Sequence, residues 1–272
     1  MGKRVSAAEA AALIKDGDTL TTSGFVGIGV PDELLAAVEA RFIETGHPRG
    51  LSLVFAAGQG DGKERGLNRL GHDGLLKRVV GGHLGLIPRV ATLATEGKIE
   101  GWNLPQGVIC QLYRDIAAGK PGMLSKVGLE TFVDPRQGGG AINDISTEPQ
   151  VELMEINGEE VLFYPSQKLT VALLRGTTAD EAGNVTMERE APTIDNLAQA
   201  MAVHNAGGVV IVQVERMARA MCIFRAFLWT PWLWPSQRTT CKPTAPLSVR
   251  LSPTACDRRS VKPPRYSWMC AR

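Results

Sequence analysis

The sequence has no uncharged apolar run of about 18 residues or more, so no stretch of it reads as a membrane-spanning helix. Its first residues, MGKRVSAAEAAALIKDGD, lack the apolar core and small-residue cleavage site of a secretory signal, and a cytoplasmic location is expected. The five cysteines form no C-x-x-C pair. Four of them, Cys222, Cys241, Cys256 and Cys270, stand 19, 15 and 14 residues apart with no histidine among them, so zinc is not expected and no metal is assigned. The glycines at 24, 27 and 29 read G-x-x-G-x-G rather than G-x-G-x-x-G, which argues against a dinucleotide site. No RNA- or DNA-binding motif is present, so nucleic acid is not an expected partner.

What is missing also divides the chain. Residues 218–272 contain no glycine and one acid, Asp257, but hold ten Lys and Arg, seven of the 16 prolines and four of the five tryptophans. Residues 1–217 carry 20 basic and 27 acidic residues, a balance of −7 against +9 for the remainder. The expected division is a folded domain over 1–217 and a basic Pro/Trp/Cys-rich tail over 218–272. That tail reads as disordered, or as out of register with the natural continuation, as after a frameshift. The coding DNA in its other two frames distinguishes these.

The 217-residue part is long enough to bury a sizeable core, and it is punctuated throughout by glycine. Asp16–Leu35 (DGDTLTTSGFVGIGVPDELL) organises it as a strand at Thr19–Ser23, a glycine-rich turn, and a helix with Pro31 as first residue. Such a turn is either a bare strand-to-helix connection or a cradle whose backbone N–H groups meet an anionic ligand. Before it, Ser6 and Glu9 form an S-x-x-E capping box for a helix over Ser6–Lys15, with Gly17 as its C-terminal cap. After it, Pro31–Thr45 continues as a helix with Leu34, Leu35 and Val38 on one face. Leu51–Ala56 has the continuous apolar character of a buried parallel strand. Gly58–Gly74 reads as loop, Gly81–Gly85 as a second glycine turn, and Pro88–Glu96 and Val108–Ala118 as helices. Lys120–Gly140 reads as a long functional loop. Asn157-Gly158 predicts a type I′ hairpin turn, Leu169–Leu174 a strand, Pro192–Asn205 a helix, and Gly208–Val214 a strand in the sheet interior. Strand, turn and helix alternate as in a mainly parallel α/β sheet.

Three segments resemble one family. Asp16-Gly17-x-x-Leu20…Ser23-Gly24-Phe25-x-x-x-Gly29-x-Pro31 is similar to the N-terminal signature of the family I coenzyme A transferases. It departs at Ser23, where glycine is usual, and at Thr21-Thr22, where aliphatics are common. Asn103-Leu104-Pro105-Gln106-Gly107 resembles the family's Pro-Gln-Gly segment. Leu124–Gly128 with Phe132–Arg136 looks like the short-chain acyl, acetate or propionate branch.

The resemblance implies an open, mainly parallel sheet of the type shared with ribose-5-phosphate isomerases. It implies transfer of CoA between a short-chain acyl-CoA and a carboxylate such as acetate, with the CoA thioester as substrate and no cofactor. It assigns Gly24, Phe25, Val26, Gly27 and Gly29 to the acyl-facing turn, their N–H groups meeting a developing oxyanion. It assigns Gln106 to positioning a carboxylate or thioester oxygen. The family's glutamate nucleophile belongs to a second half or a separate β subunit, and Glu155, in the hairpin, is not that residue. No catalytic residue is therefore assigned. The chain alone is expected to be inactive, with a β-like subunit or a homo-oligomer as partner. Two other readings are a non-catalytic α-like subunit and a sugar-phosphate isomerase, for which no acid–base and phosphate motif is found. Outside the assigned residues, His83 reads as structural and Cys110 as a packed thiol, while Lys126 and Arg136 fit CoA phosphates or a solvated loop equally.

Overall fold

The computed structural model describes residues 3–218 and 267–271. In chain order the elements are β1 (Lys3–Val5), α1 (Ala7–Ala12), β2 (Thr19–Thr22), α2 (Asp32–Thr45), β3 (Leu51–Phe55), β4 (Leu76–Gly81), α3 (Pro88–Thr95), β5 (Glu100–Asn103) and α4 (Gln106–Ala117). Then follow β6 (Gly122–Ser125), β7 (Glu152–Ile156), β8 (Glu159–Pro165), β9 (Val171–Asp180), β10 (Val185–Thr186), α5 (Asn196–Asn205), β11 (Val209–Ala218) and β12 (Ser267–Ala271).

Local chemistry sets most boundaries. The Ser6 hydroxyl accepts from Glu9 N–H, and the Glu9 carboxylate accepts from Ser6 N–H at 2.7 Å, closing the expected capping box on α1. That helix ends at Leu13, so Gly17, at φ +76°, belongs to the following turn and does not cap it. Pro31 is the N-cap of α2, one residue before the expected position, and Gly46 ends the helix in the left-handed region. Asn157 and Gly158 both have positive φ, as a type I′ turn requires, and they join β7 to β8.

The main sheet runs β1-β12-β11-β9-β2-β3-β4-β5, with β10 alongside β9. From β11 to β5 every neighbouring pair is parallel. The apolar strands alternate between two cores. Leu53, Phe55 and Leu173 face the layer of α1, α2 and α3, whereas Val54, Ala56, Ala172 and Leu174 face that of α4 and α5. Burial on both faces is why β3 reads as an unbroken apolar run, and all five of its residues are buried.

One segment departs from expectation. Lys120–Gly140 is not a structureless loop, because β6 within it pairs with β8 to complete a three-stranded antiparallel sheet with β7. A Cβ on Gly122 would strike the Tyr164 carbonyl and the Phe163 ring, so the glycine there serves close strand approach. Asp134 caps the short 3-10 turn Pro135–Gln137 that follows.

In the tail, β12 lies antiparallel to both β1 and β11. Apart from this strand and Ala218, which ends β11, the expectation for 218–272 lies outside the described residues.

Candidate active site

Chain order places β3, β4 and β5 successively to one side of β2, and β9 with β11 to the other. The direction of winding therefore reverses between β2 and β9. In an open α/β sheet the crevice for a ligand lies there, beyond the carboxyl ends of the strands. The loops leaving β2, β3, β4 and β5 at that edge hold Ser23–Val30, Ala56–Gly60, Gly82–Gly85 and Leu104–Pro105, the last leading into Gln106.

The loop after β2 is a pinned turn. Phe25 and Ile28 exchange both backbone hydrogen bonds at 2.9 Å, which leaves Val26, at φ +56°, and Gly27 at the apex. Val26 N–H donates to the Gly58 carbonyl and the Val26 carbonyl accepts from Gly60 N–H, both at 2.8 Å. Gly24 sits at φ +150°, where a Cβ would come 2.7 Å from Val30 Cγ2 and 3.1 Å from the Gln59 side chain. These contacts correct one expectation. The N–H groups of Phe25, Val26 and Ile28 are already spent on backbone carbonyls, whereas those of Gly24, Gly27 and Gly29 have no backbone acceptor among the described residues. Phe25, Val26 and Ile28 are instead exposed, so the turn presents an apolar rim.

Beneath the turn lies a buried polar layer that sequence reasoning missed. Ser23 Oγ donates to Asn196 Oδ1 at 2.8 Å. The Thr22 carbonyl, last in β2, accepts from both Gln59 Nε2 at 3.0 Å and Gln199 Nε2 at 2.8 Å. Gln199 also donates to Thr21 Oγ1 at 3.1 Å. The departures from the family pattern at Thr21 and Ser23 are thus the groups that tie β2 to α5. The signal for this was polar residues in a strand otherwise buried, but their partners lie over 170 residues away. Thr22 Oγ1, Gln59 Oε1 and Gln199 Oε1 are buried there without a protein partner. Ile194, at φ +46°, closes over Gly29 from the loop before α5.

Gln106 is the first residue of α4, with Pro105 as N-cap, rather than part of a turn before the helix. A Cβ on Gly82 would strike the Ala56 carbonyl and come within 2.9 Å of Gln106 Cβ, so the loops after β3 and β4 meet α4 at that glycine. The structure therefore brings Gly24–Gly29 and Gln106 to one edge, linked through Ala56–Gly60 and Gly82.

The remaining candidates lie elsewhere or do other work. Cys110 Sγ donates to Asp195 Oδ2 at 2.9 Å, and burial, reinforced by that carboxylate, pushes the thiol up to about 12. Lys126 pairs with Glu159 at 2.8 Å, and Arg136 pairs with Asp134 and Glu160. The Arg136 guanidinium holds the Asp134 carboxyl well below the usual carboxylate range. Both basic side chains are thus engaged around the small sheet. Glu155 is exposed on β7, opposite Glu160.

Comparison with known proteins identifies the family. Residues 4–228 match the family model for coenzyme A transferase. Over 218 residues the chain is 50% identical to the caffeate CoA-transferase of Acetobacterium woodii, which covers 80% of this chain and 42% of that protein. The crystal structure of an acyl-CoA transferase from Escherichia coli (YdiF), a thioester complex with CoA, superposes with a TM-score of 0.80 at 39% identity, covering 81% of this chain and 43% of that one. The acetate CoA-transferase subunit alpha of Escherichia coli is 25% identical over 195 residues, 72% of this chain and 79% of that subunit. The chain thus spans less than half the length of the first two and most of the third. With the mainly parallel sheet and its glycine turn at the switch point, these matches show that the chain belongs to the coenzyme A transferase family, as its N-terminal, α-like half.

Proposed function

We propose that this chain supplies one wall of an acyl-transfer site that moves CoA between a short-chain acyl-CoA and a carboxylate such as acetate. The observation that carries the reading is the pinned turn Phe25–Ile28, on the same strand-end edge as Gln106 at the switch point of the sheet. Gly24, Phe25, Val26, Gly27 and Gly29 form the acyl-facing wall. The free N–H of Gly27 at the apex and the Gln106 amide are donors for the oxygen that gains charge as the thioester is attacked. The Phe25, Val26 and Ile28 side chains shield that oxygen from water and receive the acyl chain. The attacking carboxylate would come from a glutamate in a β-like half, and without it the chain is inactive.

Purified alone, the chain should exchange no CoA between acetyl-CoA and propionate, and measurable exchange would overturn inactivity. Combined with a glutamate-bearing β-like half it should exchange CoA. Failure of that pair with every short-chain acid tried would overturn the reaction.

A second reading has its own support. The match to an alpha subunit over 79% of that subunit favours a chain that acts within a hetero-oligomer and is itself non-catalytic. Stable co-purification with a separately encoded β-like chain is the outcome expected of it.

A further inference from the structure

The chain has four histidines, and three are accounted for by their surroundings. His47 Nδ1 pairs with Asp16 at 2.8 Å, His72 Nε2 pairs with Glu39 at 2.8 Å, and His204 stands in the last turn of α5. His83 differs from all of these. It lies in the loop leaving β4, at the carboxyl edge of the sheet where the candidate site is, and it is exposed.

Its ring lies close to two glycines. A Cβ on Gly58 would come 2.7 Å from His83 Nδ1, and a Cβ on Gly85 would come 3.1 Å from Cε1 and Nε2. An alanine at Gly58 would have to displace the imidazole and also the His83 carbonyl oxygen, 2.9 Å away, because ordinary carbon contacts do not close below about 3.4 Å. The same Gly58 accepts the hydrogen bond from Val26 N–H at 2.8 Å, and the neighbouring Gly82 packs on Gln106. The imidazole thus lies against Gly58, whose carbonyl pins the glycine turn, and its chain neighbour Gly82 packs on Gln106. A histidine kept for structure is expected to be buried and bonded, whereas His83 is exposed and has no hydrogen bond or ion pair among the described residues.

We propose that His83 is a substrate-binding residue that donates a ring N–H to the carboxylate of the acid that takes up CoA. The proposal rests on the CoA-transfer reading and deepens it by naming the group that meets the second substrate. An imidazole N–H is a directional donor, and a carboxylate oxygen is the acceptor with which it forms a charge-assisted bond. Gln106, beyond Gly82, can satisfy another lone pair of the same carboxylate, with the apolar rim of Phe25, Val26 and Ile28 left for its alkyl part. The two glycines leave the ring room that any side chain with a Cβ would take.

The test uses the full chain, with its imidazole resonances followed by NMR during titration with sodium acetate at constant ionic strength. His83→Gln identifies the resonance, and His47, His72 and His204 serve as internal references. A saturable shift of His83 alone is expected, lost in Gly58→Ala when the amide spectrum shows that variant folded. No saturable shift, an equal response to sodium chloride, or a response to inorganic phosphate in place of acetate would each overturn the assignment. In the enzyme completed by a β-like half, His83→Leu, which removes the ring donor, should raise KM for acetate about tenfold, with a smaller change in kcat. An unchanged KM in an enzyme that still transfers CoA overturns the role of His83 and leaves the CoA-transfer reading standing. No transfer by the completed wild-type enzyme defeats that reading instead, and the acetate titration then decides only whether His83 binds a carboxylate.

Discussion

At the residue scale the glycines separate into those held by space and those held by dihedral alone. Gly17, at φ +76°, has open space within 4 Å of where a Cβ would stand, so Gly17→Ala should cost only the left-handed backbone term, about 1 kcal/mol. Gly24 adds collisions with Val30 and Gln59 to an unfavourable φ, and Gly24→Ala should cost about 2–4 kcal/mol. Urea midpoints at unchanged m-value check both, and equal losses would show that the packing against Gln59 is immaterial. Gln106→Ala in a complete enzyme should lower turnover about 100-fold if its amide meets the developing charge, and unchanged kinetics would remove it from the site. Cys110 gives a chemical test. With its thiol pushed up to about 12, it stays protonated near neutrality, so iodoacetamide at about pH 7.5 should leave the Cys110 peptide unlabelled in the folded chain and label it in urea. Rapid labelling of the native chain, read by peptide mapping, would contradict that. At this scale the glycine-rich turn between β2 and α2 was legible in the sequence. The consumption of the Phe25, Val26 and Ile28 N–H groups was not, since it depends on the carbonyl of Gly58 and on a turn closed upon itself.

At the scale of elements, sequence signals worked where the determinant is local. The capping box at Ser6 and Glu9, the Asn157-Gly158 turn and the end of α2 at Gly46 each rest on groups within a few residues. Ser6→Ala should therefore cost about 1 kcal/mol, seen as a lower urea midpoint, and Glu9→Ala should lose most of the same amount because the box is reciprocal. Additive losses in the double variant would show that the two bonds are independent. The signals failed at β6. Four residues in a glycine- and proline-rich stretch carry no periodicity of their own, and they become a strand because β8 offers a free edge. β5 is equally short and passed unnoticed in the sequence, although its pairing with β4 puts Gln106 where it is.

At the scale of the whole molecule, burial of weak acids gives stability a pH limit. Burial pushes Cys110 from 9.0 up to about 12 and Tyr164 from 10.0 up to about 12, and it raises the fully buried Tyr113 as well. A group raised on folding contributes stability in full below its unfolded value and loses it as pH rises towards the folded one. The urea midpoint should therefore hold to about pH 9 and fall steadily from there towards pH 12. Cys110→Ala with Tyr164→Phe should flatten that fall, and a wild-type midpoint constant to about pH 11 would sink the account. The sequence by itself determined the alternation of strand, glycine turn and helix over 1–217, the apolar runs that make both sheet faces buried, and the break in composition near Met217. Those properties follow from backbone sterics and burial, which act over a few residues. Only the tertiary structure decided that β9 enters beside β2, that Gln59 and Gln199 converge on one carbonyl of β2, and that His83 lies against Gly58 while its neighbour Gly82 packs on Gln106. Each is a meeting of segments far apart in the chain. A strand buried on both faces carries no mark of its neighbours, so pairing order is settled by how the two cores close around the sheet.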